Sequence, residues 1–208
     1  MFEVIEEKNK ASVYFDDLQT VHPDDIEPVQ LIQPDLARGP WIAGGAVLKW
    51  YQGKPVGESD IDVFCQSPRQ AELVLGRLAD SKNVTEVWRT KNAISFNVFS
   101  SEDLTILWRV QIIVRNYYQN LEAVLNNFDI SICQIGTAGY EWVFGPETAK
   151  DIRLKHLRFV GNLKPDCAKR LTKYITYGYR PSIETIESVI AATPPDTIFS
   201  SEEYTHAP

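Results

Sequence analysis

The chain reads as an α+β protein, a mixed β-sheet with helices packed on it and a small helical appendage after it. Three observations predict this. Apolar and polar residues alternate with the strand period of two in Ala93–Phe99, where Ile94, Phe96 and Val98 share a side, and again in Asp129-Ile-Ser-Ile-Cys-Gln-Ile. The run Leu104–Val114 is long, apolar and rich in β-formers. Past Pro146 the apolar spacing becomes helical.

Taken in order, residues 1–40 alternate short apolar stretches with Pro, Asp and Gln, and read as an entry segment holding a short helix or strand. Trp41 opens an apolar strand, Gly44-Gly45 makes a turn, a short amphipathic helix follows, and after the Gly53–Pro55 turn a strand carries Asp60 and Asp62. Ser67 caps a helix that starts with Pro68, runs to about Ser81 and places Ala71, Val74, Leu75 and Leu78 on one face. Strands are expected over Thr85–Arg89, Ala93–Phe99 and Leu104–Val114, then a short helix over Asn120–Asn127. The alternating strand from Asp129 pairs with Tyr140–Phe144 across a Gly136–Gly139 turn. Three helices follow: one to about Leu157, one from Pro165 to about Tyr177 ended by Gly178, and one over Ile183–Ala192. The helices are expected to lie on one face of the sheet. The tail from Thr193 is polar and expected to be loosely held.

Composition narrows the class. With 208 residues, 44% apolar and 24% charged, the chain suits one globular domain with an appendage. Its apolar runs are too short to span a bilayer and its first residues are acidic, so neither a membrane span nor a signal peptide is expected. Cys65, Cys133 and Cys167 read as buried free thiols of a cytoplasmic protein, and with only three histidines a zinc site is not expected. The net charge of −7 is unevenly spread. Nine basic residues between Lys150 and Arg180 face only Asp151 and Asp166, whereas the rest of the chain has 12 basic against 26 acidic residues. That segment is either a solvated helix face or a positive wall for a phosphate chain.

The region from Trp41 to Phe64 carries the chemistry. Strand residues two apart point the same way, so Asp60 and Asp62 project together while Ile61 and Val63 face a core. Two such carboxylates repel unless a cation lies between them, and Mg2+ or Mn2+ suits oxygen ligands of this kind completed by substrate phosphates. A glycine pair opening a helix offers backbone N–H groups to phosphate. A phosphate cradle beside a metal-binding carboxylate pair is the minimum equipment for nucleotidyl transfer.

The sequence Gly44-Gly-Ala-Val-Leu-Lys-Trp50 followed by Ser59-Asp-Ile-Asp-Val63 resembles the signature of the DNA polymerase beta-like nucleotidyltransferase superfamily, and most of all the head of CCA-adding enzymes and bacterial poly(A) polymerases. The resemblance implies a head over residues 41–146, a helical neck over 147–192 and a tail over 193–208. It implies an enzyme moving NMP from an NTP, with Mg2+ or Mn2+ held by Asp60 and Asp62, to a hydroxyl on an RNA 3′ end, a protein or a small molecule. Asn127-Phe-Asp-Ile-Ser-Ile-Cys133 is similar to that family's Arg-Arg-Asp-Phe-Thr-Ile-Asn, so Asp129 becomes a candidate third catalytic acid. Gly44, Gly45, Lys49 and Ser59 would hold the nucleotide, with Arg115 available to meet a triphosphate. Lys164-Pro-Asp-Cys-Ala-Lys-Arg-Leu-Thr-Lys173 looks like the family's neck helix and adds Asp166, Lys169, Arg170 and Lys173. Departures accompany the match. Gln111 stands where the family has an acid, Asn127-Phe128 replaces an arginine pair, and lysines replace neck arginines whose planar fork they lack. These departures keep open an alternative, a nucleotide-binding or interaction module with weakened catalysis on the same fold.

Overall fold

The computed structural model describes residues 3–6, 27–54, 56, 59–100, 107–138 and 141–193. Much of the entry segment (residues 1–2 and 7–26), Pro55, Leu104–Ile106, Gly139-Tyr140 and the tail beyond Thr193 lie outside these. Within them the fold is α+β, built on one eight-stranded mixed sheet. Its strands are β1 (Glu3–Glu6), β2 (Trp41–Ala43), β3 (Asp60–Phe64), β4 (Val84–Arg89), β5 (Ala93–Phe99), β6 (Leu107–Ile113), β7 (Ile135–Thr137) and β8 (Glu141–Phe144). The spatial order is β1-β8-β7-β2-β3-β6-β5-β4. Every pairing is antiparallel except β3 with β6, a parallel pair whose crossover contains a helix and the two strands β4 and β5.

Among the described residues seven α-helices surround the sheet: α1 (Glu27–Ile32), α2 (Gly45–Tyr51), α3 (Pro68–Ala79), α4 (Leu121–Asn126), α5 (Thr148–Leu154), α6 (Cys167–Thr176) and α7 (Ile183–Ala192). Ser67 caps α3 as its sequence demands, its side chain accepting from the Gln70 N–H with Pro68 at the first helical position. The α3 face of Ala71, Val74 and Leu78 joins Ile42, Ile61, Val63, Ile94, Phe96, Val98, Val110 and Ile112 in the main core. Among the described residues no helix is long and apolar enough to cross a membrane.

Helices lie on both faces of the sheet, not on one. Trp41, Ala43 and Phe64 point away from the main core and are covered by Leu121, Val124 and Leu125 of α4. The two sides differ because β2 is central and buried on both faces, so its short run Trp-Ile-Ala is apolar throughout. Trp41 shows the consequence: it is fully buried and its indole N–H donates to the Leu36 carbonyl at 3.0 Å.

The strand expected from Asp129 is also different. Ile130 forms a single antiparallel bridge to Phe159, Ser131–Cys133 is a 3-10 turn, and the strand starts only at Ile135. Ile130, Ser131, Ile132 and Cys133 are all buried, so the alternation there does not mark an inside and an outside. The turn is fixed by polar bonds from downstream. The Ser131 hydroxyl donates to the Asp151 carboxylate at 2.6 Å, and the Thr148 hydroxyl donates to the Ser131 carbonyl at 2.7 Å. Beyond α5 the chain forms a small parallel pair, β9 (His156–Leu157) with β10 (Arg180–Pro181), which brings α6 and α7 back beside the sheet.

Candidate functional site

A cavity of about 630 Å3 opens where the first residues of α2 and β3, the Phe128–Cys133 segment and α6 meet. Asp60 and Asp62 stand on its sheet side, at the start of β3. The inward partners Ile61 and Val63 are fully buried, which locks the strand register and turns both carboxylates the other way. In the parallel pairing, Asp60 lies opposite Arg109 and Asp62 opposite Gln111. The Arg109 Nε is 3.7 Å from the Asp60 Oδ1, too long for a hydrogen bond, and that buried oxygen finds no hydrogen-bond partner.

Gly44 faces this pair at close range. Its φ of 98° belongs to glycine, and a Cβ there would lie 2.9 Å from the Phe128 ring and 3.9 Å from the Asp62 Oδ2. Its N–H is already given to the Ile135 carbonyl, so the N–H groups left for a ligand are those after it in the first turn of α2, at Gly45 and Ala46 on the cavity wall. Gly44→Ala is expected to destabilise the fold by about 2–3 kcal/mol through backbone strain and ring displacement, read as a fall in Tm together with weaker nucleotide binding.

The opposite wall is basic: Lys164, Arg170 and Lys173 line it with Tyr174 and Tyr177. Asp129 is there too, but its carboxylate is engaged. Arg170 grips it with both terminal nitrogens, Nη2 reaching Oδ2 at 2.7 Å, and the Lys164 backbone N–H donates to Oδ2 at 3.1 Å. Arg170 also bonds Asp166 at 3.0 Å, one helical turn away. Lys49 lines the cavity while donating its ammonium to the Val56 carbonyl at 2.9 Å, so its charge is held at the rim.

These surroundings set the protonation of the acids. Burial raises the Asp62 pKa to about 7, helped by the negative charge of Asp60, and Lys173 and Lys164 only partly offset this. Burial also raises that of Asp60, against the pull of Arg109 and Lys173. Asp129 behaves oppositely. Burial pushes it up, but the hydrogen bonds and charge of Arg170 prevail and hold it below the usual carboxylate value. The pair on β3 is therefore short of positive charge, and Asp129 is not. Among the described residues no three acid, histidine or cysteine side chains gather as a metal cage. An orphaned carboxylate oxygen beside a second repelled carboxylate fits a hard divalent cation that brings further oxygens with its ligand.

A family model described as Gad2, Gabija anti-defense 2 family protein, matches residues 5–155. The chain belongs to that family. No curated protein matches it in sequence. Among solved structures, the Thermotoga maritima CCA-adding enzyme complexed with tRNA matches with a TM-score of 0.56 at 16% identity, over 84% of this chain and 43% of that one. A CCA-adding enzyme in complex with CTP gives 0.55 at 16% identity, over 80% and 42%. The Bacillus stearothermophilus CCA-adding enzyme with CTP gives 0.50 at 18% identity, over 73% and 38%. At these identities the likeness is one of fold, a nucleotidyltransferase-like α+β sheet, and the chain spans about two-fifths of the length of those proteins.

Within this member of the Gabija anti-defense 2 family, the cavity brings together Gly45, Lys49, Ser59, Asp60, Asp62, Asp129, Asp166, Arg170 and Lys173. Gly44 stands just behind the wall. Arg115 and Lys169 are not on it. Arg115 is exposed past the far end of β6, beyond the Phe64–Ile113 pair, and Lys169 is on the solvent side of α6. Sequence reasoning passed over Phe128, Cys133, Lys164, Tyr174 and Tyr177, which the fold gathers from separate segments. Lys164 was legible only as part of the basic run. The Cys133–Tyr174 bond of 2.8 Å had no sequence signal, and burial pushes that thiol up to about 11, leaving it unreactive.

Proposed function

We propose that the chain is a metal-dependent nucleotidyltransferase, carrying an NMP from an NTP to a hydroxyl acceptor. The observation supporting this reading is the placement of Asp60 and Asp62, one with an orphaned oxygen, directly across one cavity from Lys164, Arg170 and Lys173. Residues 41–146 serve as head and 147–192 as neck. Asp60 and Asp62 hold Mg2+ or Mn2+, which when bound neutralises triphosphate charge and polarises the attacking oxygen. Lys164 and Lys173 draw in the phosphates, and the first-turn N–H groups of α2 orient them. Tyr177, half-exposed at the mouth, offers the nucleobase a ring face. Asp129 serves as anchor for Arg170, in place of the third metal ligand its motif position suggested, because both of its oxygens are already bonded.

A second reading rests on Gln111. It occupies the register position opposite Asp62 and donates its amide to the Ser95 hydroxyl at 3.2 Å, so an amide rather than a carboxylate stands at that position beside the pair. On that reading the chain captures metal-bound NTP with little turnover. The family's anti-defense description supplies the setting for either: a counter to a Gabija system, by modifying a component of it or by withholding nucleotide. Incubation with each α-labelled NTP and Mg2+ or Mn2+, against total RNA and total protein, decides between them. Label transferred to an acceptor supports the enzyme. An Mg2+·NTP-dependent rise in Tm with no transfer supports capture, and the absence of both defeats the two readings together. Gln111→Glu, which restores an acid at the register position of Asp62, is expected to raise any metal-dependent transfer at least tenfold, measured as initial rate at saturating NTP.

A further inference from the structure

Two rows of side chains cross the sheet from the carboxylate pair on one shared face. One row runs Asp60, Arg109, Asn97; the other runs Asp62, Gln111, Ser95, Trp88, the last brought into line by a register shift after Glu86. Residues opposed in register point the same way, so these groups form a polar strip leading from the cavity toward the sheet edge. The opposite face of the same three strands β4, β5 and β6 is main core, and the strip is open in part: Ser95 is fully buried, while Asp60, Arg109 and Trp88 reach solvent. Trp88 is 40% exposed and the Arg109 side chain 41%. The Arg109 guanidinium lies 5.5 Å from the centre of the Trp88 ring. The Asn97 Oδ1 and the Arg109 Nε are both buried atoms with no hydrogen-bond partner, one short of a donor and the other of an acceptor.

We propose that this strip is the acceptor subsite and that it takes the 3′ end of a single-stranded nucleic acid. This deepens the nucleotidyl-transfer reading and rests on it. A nucleobase stacks on the indole whatever its identity, because every base has a π-face. The Arg109 guanidinium carries the one positive charge in the strip and pairs with a backbone phosphate, which supplies the acceptor that its Nε lacks. The Asn97 carbonyl oxygen accepts from an exocyclic amino group. The distance across three strand spacings, about 14–15 Å, fits a short strand end whose terminal hydroxyl reaches Asp60 and Asp62 while an earlier base rests on Trp88. A protein hydroxyl would leave a flat aromatic–guanidinium stack and an orphaned amide with nothing planar to meet.

The test is fluorescence anisotropy of a 5′-labelled ten-nucleotide single-stranded RNA titrated with the full chain in low salt, without NTP. Wild type is expected to bind, and Trp88→Ala to weaken binding by about five- to a hundredfold, the range of one lost base stack. Trp88→Phe, which keeps a smaller ring, should fall between them. Equal binding by all three proteins, or no binding by wild type, overturns the proposal, as does label transfer to protein alone that Trp88→Ala leaves intact. Failure of the underlying reading shows separately, as no label passed by wild type from any α-labelled NTP to RNA or protein with Mg2+ or Mn2+.

Discussion

Replacing Asp60 and Asp62 together by asparagine is expected to reduce metal-dependent nucleotidyl transfer by about a thousandfold or more, the equivalent of the several kcal/mol a catalytic metal supplies. The same change is expected to make the fold more stable. Asp62 is held at about 7 against an ordinary 3.8, so between those values the folded chain keeps a proton that the unfolded chain releases. The stability linked to that proton is complete below pH 3.8 and is lost as the pH rises through 7. At pH 8 the native carboxylate is therefore charged at a cost that asparagine avoids. A Tm increase of about 2–8 °C at pH 8 follows if ~1–2 kcal/mol is recovered. Saturating Mg2+·NTP should raise the Tm of wild type and leave that of the double variant unchanged. Activity loss with a fall in Tm would instead make the pair structural. This trade is common at functional sites, where charge is kept in place against the fold's own preference.

The largest loss of stability is expected at Asp129. Asp129→Ala leaves the partly buried Arg170 guanidinium without its bidentate partner and removes the acceptor of the Lys164 N–H, at a cost of about 3 kcal/mol. In Tm this is about 6–12 °C for a chain of this size. Lys164 and Lys173 sit on either side of that grip, so nucleotide affinity should fall with it. Arg170→Lys is expected to recover only a small part, since an ammonium cannot match two carboxylate oxygens at once. The pH dependence has the opposite sign to that of Asp62. Asp129 is held below its ordinary value, so its contribution is present above about pH 4 and disappears as the pH falls through its folded pKa. Denaturant midpoints measured from pH 6 downward should converge for wild type and Asp129→Ala under strong acid. A constant gap across that range would rule out the ion pair as the cause.

The limits of sequence reading follow from how far each interaction reaches along the chain. The Ser67 cap, the α3 face and the shared orientation of Asp60 and Asp62 are local matters of helix and strand period, and the bounds of Ala93–Phe99 and Ile183–Ala192 agree with the expectation. The stretch from Asp129 misled because alternation was read as in-and-out, whereas polar groups of α5, about twenty residues on, draw it into a buried turn. Asp129 shows the same limit at the site. Its motif position marked it as important, but the partner that fixes its charge, Arg170, is 41 residues away.

Sequence alone determined the α+β class, the carboxylate pair and the glycine turn facing it, because each is written within a few residues by backbone geometry and side-chain period. Only the tertiary structure decided which cations share the cavity, that Asp129 is neutralised by Arg170, that Gln111 lies beside Asp62, and that a polar strip leads from the pair to Trp88. Those facts depend on strand order and on the return of α6 to the sheet, which bring distant segments into contact and so set the electrostatics of the site.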